Sequence, residues 1–239
     1  MIKQAVILVG GLGTRLGVLT KHIPKPMLKV NGKPFAFYLV KKLKRQGIKN
    51  IIFSTGYYAD QFVDYFGDGS DFGVNIVCIE EPNALGTGGA IKFLKSYLDE
   101  EFIVMNGDSL FDINYVDLYS LLTKESNSLV AMALRATSSS YRYGGVMFDG
   151  ILVTDFTEKD CQNSSTYING GVYVMKKKTL NFLPKGVSSL EKDLFPSLAL
   201  KRKLLGKSFT DYFIDIGIPE DFKRIQRELP ELIKNQHII

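Results

Sequence analysis

The chain has 239 residues, with 30 Lys plus Arg against 25 Asp plus Glu and 45% apolar side chains. That balance excludes extended disorder and collagen-like repeats, and a net charge of +5 suits an anionic ligand without implying a nucleic-acid partner. No stretch reaches the ~18 unbroken apolar residues of a membrane span, and the opening Met1-Ile2-Lys3-Gln4 has no signal-peptide pattern, so a cytoplasmic protein without membrane contact is expected.

The elements alternate through the first half. Gln4 to Val9 is a continuous apolar run, as in a strand buried on both faces. Pro34 to Gln46 places Phe35, Leu39 and Leu43 on one helical face and ends before Gly47. Strands at Asn50 to Thr55, Val74 to Glu80 and Phe102 to Asn106 then alternate with helices at Ala59 to Phe66, Gly88 to Leu98 and Tyr115 to Lys124. This order predicts an α/β fold with a doubly wound, mostly parallel central sheet. After Ser128 the pattern changes. Strand-like runs at 128–136, 145–149, 151–158 and 167–175 predict an antiparallel extension forming one wall of a pocket. Helical stretches at 177–183 and 190–203, a strand from Leu204 to Thr210, an Asp215-Ile216-Gly217 turn and a helix from Pro219 complete the chain.

The chemistry-bearing motifs fall at strand ends. Gly10-Gly11-Leu12-Gly13-Thr14-Arg15-Leu16 follows the first strand, and clustered glycines let backbone N–H groups turn towards phosphate oxygens, with Arg15 as an added cation. A dinucleotide fingerprint fails here. Its third glycine position is Leu16, and the second strand ends in Ser54-Thr55 rather than an acidic residue. A Walker A loop also fails, for want of Gly-Lys-Ser/Thr. Pro24-Lys25-Pro26 preorganises a lysine between two prolines. Glu81 and the Gly86-Thr87-Gly88-Gly89 cluster follow the third strand, where Thr87 reads equally as a helix N-cap. Asp108, after Asn106-Gly107, and Asp215 are carboxylates at two further strand ends, an arrangement suited to Mg²⁺. With only His22 and His237 present, a histidine-built zinc site is not expected. Cys78 and Cys161 form no C-x-x-C pair and read as reduced thiols.

Taken in order, these motifs resemble the sugar-1-phosphate nucleotidylyltransferase family: its G-G-x-G-T-R-L loop, K-P lysine, G-T-G-G loop, G-D, E-K, N-G-G and late D-x-G. They correspond to Gly10 to Leu16, Lys25-Pro26, Gly86 to Ala90, Gly107-Asp108, Glu158-Lys159, Asn169 to Gly171 and Asp215 to Gly217. Within that family the chain is most similar to the D-glycero-α-D-manno-heptose 1-phosphate guanylyltransferases. The resemblance implies a single Rossmann-like nucleotidyltransferase domain, with a nucleotide-binding half at 1–125 and a sugar-binding half at 126–239.

It also implies transfer of a nucleoside monophosphate from an NTP, GTP first, to a sugar 1-phosphate. Nucleotide sugar and pyrophosphate are the products, and GDP-heptose for polysaccharide biosynthesis is the first expectation. Arg15, Lys25 and Asp108 would be catalytic, with Mg²⁺ on Asp108 and Asp215. Leu8, Gly10, Gly11, Gly13, Thr14, Glu81, Gly86 and Gly88 would hold the nucleotide. Gly144, Glu158, Lys159 and Asn169 would hold the sugar phosphate. A homodimer is implied by analogy.

Three features depart from relatives. Asp160 follows Lys159 where many have proline, Phe213 stands where some have tryptophan, and the stretch after Pro219 is too short for a fused left-handed β-helix. Mannose-1-phosphate guanylyltransferase, or another sugar-1-phosphate nucleotidylyltransferase, is the alternative. A glycosyltransferase would need D-x-D, but position 106 is Asn. A silent sensing subunit would have lost Arg15, Lys25 or an aspartate, and all remain.

Overall fold

A computed structural model describes residues 2–11, 13–137, 145–157 and 167–234. In chain order the strands and helices are β1 (Gln4–Leu8), β2 (Lys29–Val30), β3 (Lys33–Pro34), α1 (Phe35–Arg45), β4 (Asn50–Thr55), α2 (Ala59–Phe66), β5 (Asn75–Glu80), α3 (Gly86–Phe93), β6 (Glu101–Asn106), β7 (Ser109–Phe111) and α4 (Tyr115–Lys124). They continue with β8 (Val130–Ala136), β9 (Gly145–Asp149), β10 (Leu152–Thr157), β11 (Tyr167–Lys176), α5 (Phe195–Leu200), β12 (Leu204–Phe209), β13 (Phe213–Asp215) and α6 (Pro219–Lys234). The protein is α/β with a large mixed central sheet, as the alternation predicts. No helix of the described residues is long and apolar enough to cross a membrane.

The chain divides into two compact units. One is built from Lys3–Ala84, Met105–Asp112 and the stretch from Tyr212 onward. Here β5, β4 and β1 lie side by side and all parallel, with Leu8 opposite Ser54 and Thr55 opposite Glu80. Their continuous apolar runs are what burial on both faces requires. Ala5, Val6, Ile7 and Phe53 are fully buried, and Phe62 and Phe66 of α2 pack on Phe53 at ring separations of 5.1 and 4.9 Å. Asn31-Gly32, both at positive φ, close the β2–β3 hairpin, a pairing favoured by the twist of two-residue turns. A separate antiparallel ladder joins β7 to β13, setting Asp215 opposite Ser109. That ladder matters for the site.

The second unit comprises Leu85–Val104 and Ile113–Asp211, with the first two residues of the chain. Its strands β11, β8, β12, β10 and β9 are adjacent in that order. The antiparallel extension is present in β11·β8, β12·β10 and the β10·β9 hairpin. Between β8 and β10, however, β12 inserts parallel to β8 along its whole length. The helical stretches are shorter than predicted. Residues 177–182 form a 3₁₀ segment, and α3 gives way to 3₁₀ geometry at Leu94. Residues 190–194 form a π-turn leading into α5, whose Pro196 has no N–H to continue an α-helical ladder, and α5 stops at Leu200 because Arg202 takes φ +53°.

Candidate active site

The first unit gathers most of the predicted side chains at the carboxyl ends of its strands. The N–H of Val9 bonds to the Ser54 carbonyl at 3.0 Å, extending β1 by one residue before the chain turns away at Gly10. Among the described residues, nothing accepts a hydrogen bond from the N–H groups of Gly10, Gly11 or Gly13. Gly13 sits at φ +63°, and its carbonyl accepts from the Thr20 hydroxyl at 2.9 Å. A Cβ at Gly13 would lie 3.4 Å from the Cβ of Lys25, so the glycine loop and the lysine stem are neighbours. Pro24 and Pro26 hold Lys25 in a short 3₁₀ turn, where the residue is only 7% exposed. Its Nζ donates to Asp108 Oδ2 at 2.7 Å.

Asp108 reaches that position through its preceding glycine. The N–H of Gly107 bonds to the Leu8 carbonyl at 2.9 Å, and a Cβ there would meet that oxygen at 2.7 Å and Val9 Cγ1 at 2.6 Å. Only glycine lets the chain pass so close under β1. The Asp108 carbonyl in turn accepts from the N–H of Ile216 at 2.9 Å, which carries Asp215 to the same place. The Asp215 carboxylate accepts from the Gly217 N–H at 2.6 Å. Burial pushes the Asp215 carboxyl up to about 6, and the negative charge of Asp108 pushes the same way, against the pull of the Gly217 N–H, Lys25 and Arg15. A Cβ on Gly217 would lie 3.3 Å from Arg15 Nη2, so the guanidinium is beside the second aspartate. Lys25, Asp108, Asp215 and Arg15 therefore converge, from positions spread over most of the sequence.

Two mutually repelling carboxylates with hard oxygen donors fit a divalent cation such as Mg²⁺, which protein sites typically hold by one or two carboxylates and complete with phosphate oxygens and water. Among the described residues no cluster of three or more metal-ligating side chains occurs, and such a site does not require one.

Glu81 lies in the same unit. Its N–H bonds to the Thr55 carbonyl at 2.9 Å, and its Oε1 accepts from Ser54 Oγ at 3.2 Å. A Cβ at Gly10 would come within 3.1 Å of that oxygen, and one at Gly56 within 3.2 Å of the Gly10 carbonyl. Ser54 and Gly56 were not singled out in the sequence. The polar end of an otherwise apolar strand was the available signal for Ser54.

The Gly86–Gly89 cluster belongs to the other unit and has a packing role there. The N–H groups of Gly88 and Gly89 both bond to the Ser188 carbonyl, at 2.9 and 3.2 Å. Gly86 is at φ +70°, and a Cβ would stand 2.5 Å from the same oxygen. Thr87 is not an N-cap. It lies inside α3, donates to Glu191 Oε2 at 2.7 Å and accepts from the Leu190 N–H at 2.9 Å. Gly86→Ala is expected to lower stability by more than about 2 kcal/mol through strain and backbone overlap, whereas Gly11→Ala, which meets nothing within 4 Å, changes it by less than about 0.5 kcal/mol. Thermal melting of the two variants checks this.

Asn169 sits where β11 shifts register against β8. Its amide donates to Tyr173 Oη at 2.7 Å and accepts from the Gly171 N–H at 2.9 Å, so the Asn-Gly-Gly motif builds a bulge. Gly144, Glu158 and Lys159 lie outside the described residues, as does Cys161.

A family model described as nucleotidyl transferase matches residues 4–231. The chain is similar to the D-glycero-alpha-D-manno-heptose 1-phosphate guanylyltransferase of Campylobacter jejuni, 42% identical over 221 residues that cover 92% of this chain and 96% of that one. It is 38% identical to the enzyme of the same name from Aneurinibacillus thermoaerophilus, over 96% of this chain and all of the other. Its structure is similar to that of HddC from Yersinia pseudotuberculosis complexed with GMP-PN, with a TM-score of 0.82, 34% identity, and coverage of 95% of this chain and 100% of that one.

Proposed function

The chain belongs to the nucleotidyl transferase family, and from that premise we propose that it is a sugar-1-phosphate guanylyltransferase, taking GTP and D-glycero-α-D-manno-heptose 1-phosphate to GDP-heptose and pyrophosphate. The observation that carries the reading is the convergence of Lys25, Asp108, Asp215 and Arg15 beside a glycine loop whose N–H donors have no partner among the described residues. That set matches a reacting triphosphate. A sugar-phosphate oxygen attacks the α-phosphorus, the bond to the bridging oxygen of the β-phosphate breaks, and pyrophosphate leaves. The incoming oxygen is already ionised, so no general base is required, and catalysis is positioning and charge neutralisation.

In this reading the N–H groups of Gly11 and Gly13 and the Arg15 guanidinium hold the departing pyrophosphate. Lys25, preorganised by its prolines and by Asp108, neutralises charge on the α-phosphoryl oxygens. Asp108 and Asp215 would hold Mg²⁺, which supplies further charge neutralisation at the phosphate oxygens. Glu81, at the floor beside Gly10, would select the base by accepting from guanine N1–H and the 2-amino group. Asn169, Glu158, Lys159 and Gly144 are assigned to the sugar phosphate on the family pattern.

The test is pyrophosphate release by purified protein with Mg²⁺, each common NTP and a panel of sugar 1-phosphates that includes manno-heptose and mannose. Release should require both substrates and be fastest with GTP and the heptose phosphate. Chelation should reduce it to background. Release with a different NTP, or none with any pair, rejects the reading.

A further inference from the structure

We propose that Ser54 is a positioning residue for base selection: its buried hydroxyl fixes the Glu81 carboxylate over Gly10, in the orientation that accepts two N–H groups from the guanine edge. This rests on the reading of Glu81 as the base acceptor.

The argument starts from strand register. β4 lies between β1 and β5, so the end of β4 separates the glycine loop from the residue that follows β5. Ser54 is paired with Leu8 on one side and Ile79 on the other, and is fully buried. Most buried hydroxyls are hydrogen-bonded, and the one on Ser54 is. Its own carbonyl takes the Val9 N–H, and its Oγ donates to Glu81 Oε1 at 3.2 Å. The Glu81 backbone is held independently, through its N–H to the Thr55 carbonyl. Backbone and carboxylate are thus anchored to adjacent residues of one strand. The absent side chain of Gly10 leaves the same carboxylate oxygen its space, because a Cβ would lie 3.1 Å from Oε1.

A carboxylate offers about four lone-pair sites, so the Ser54 hydroxyl bond helps to orient it without exhausting it. Held in one orientation, its two oxygens can meet the paired donors N1–H and N2–H of guanine. Adenine presents an unprotonated N1 there, which a carboxylate rejects. Hypoxanthine keeps N1–H but lacks the 2-amino group. The neighbouring Thr55 provides an internal control. Its hydroxyl is equally buried but has no partner among the described residues, so it does not act on Glu81.

The experiment compares wild type, Ser54→Ala, Thr55→Val and Glu81→Gln with GTP, ITP and ATP. It measures kcat and KM for pyrophosphate release with saturating Mg²⁺ and sugar 1-phosphate, and calorimetric affinity for the same nucleotides. Ser54→Ala should lower kcat/KM for GTP about tenfold through KM, lower it about threefold for ITP, and leave ATP unchanged, the scale of one charge-assisted hydrogen bond. Thr55→Val should preserve the GTP/ATP ratio. Gly10→Ala, displacing the carboxylate, should reproduce the narrowed selectivity and covers the case in which Ser54→Ala does not fold.

Equal losses for all three nucleotides in Ser54→Ala would make Ser54 merely structural and overturn the proposal. If Glu81→Gln narrows selectivity while Ser54→Ala and Gly10→Ala do not, the positioning claim fails and the base-acceptor reading survives. If Glu81→Gln changes nothing, that reading fails as well. If no pair turns over, the same ratios are read from the affinities.

Discussion

Asp215→Asn is expected to melt about 2–8 °C above wild type at pH 7 in chelator, while releasing no pyrophosphate above background. The carboxyl of Asp215 is pushed up to about 6 from an ordinary 3.8, first by burial and then by the charge of Asp108. The folded state therefore holds the Asp215 proton more tightly than the unfolded state does. This group's contribution to stability is fully present below pH 3.8 and is lost as the pH rises through 6. At neutral pH the ionised carboxylate opposes folding, by at most about 3 kcal/mol for a shift of this size. Asparagine retains an oxygen for the Gly217 N–H but carries no charge. Melting across pH 4–8 should show a falling limb in the wild type that the variant lacks, and excess Mg²⁺ should raise the wild-type melting temperature and leave the variant's unchanged. A variant that melts lower than wild type in chelator would contradict the account.

Lys25→Ala should also be inactive, with the opposite effect on stability. Turnover should fall about 10²–10³-fold, the scale seen when one preorganised electrostatic contact to a reacting group is removed. The fold should lose about 2–4 kcal/mol, because Asp108 is left without its 2.7 Å partner and Asp215 loses one of the cations that favour its ionised form. Lys25→Arg should not rescue, since the lysine side chain is only 9% exposed and a planar guanidinium needs more room than an ammonium. Single-turnover rates and melting curves on the same preparations separate the two effects. If both variants shift stability in the same direction, the charge balance described for the cluster is wrong.

Much of this cluster was readable in advance. Gly107-Asp108 and Asp215-Ile216-Gly217 were recognisable because a carboxylate after an apolar strand run marks the strand's carboxyl end. Their convergence needs the β7–β13 ladder, a pairing between residues more than a hundred apart that no local pattern encodes. The same limit hid the insertion of β12. An apolar run announces a strand and is silent about its neighbours, so the parallel β8·β12 pair was missed.

The glycines show a different limit. Composition treats all clusters alike, yet Gly10, Gly11 and Gly13 leave N–H donors without partners among the described residues, Gly86, Gly88 and Gly89 make room for Ser188 and the Gly186 backbone, and Gly171 forms a bulge with Asn169. Nothing in the sequence gives Ser54 a role, because a lone hydroxyl in a strand carries no motif. Its meaning comes only from what lies across the register.

The unit that carries the phosphate cluster is assembled from three separated stretches of chain. Its β1, β4 and β5 and the lysine turn precede Asp108 in the chain, and β13 with Asp215 follows it more than a hundred residues later. The strand that completes the cluster is thus also the one that introduces its repulsion. A truncation just before β13 would keep the three parallel strands and the Lys25–Asp108 pair in the chain while deleting the second carboxylate and the strand that β7 pairs with.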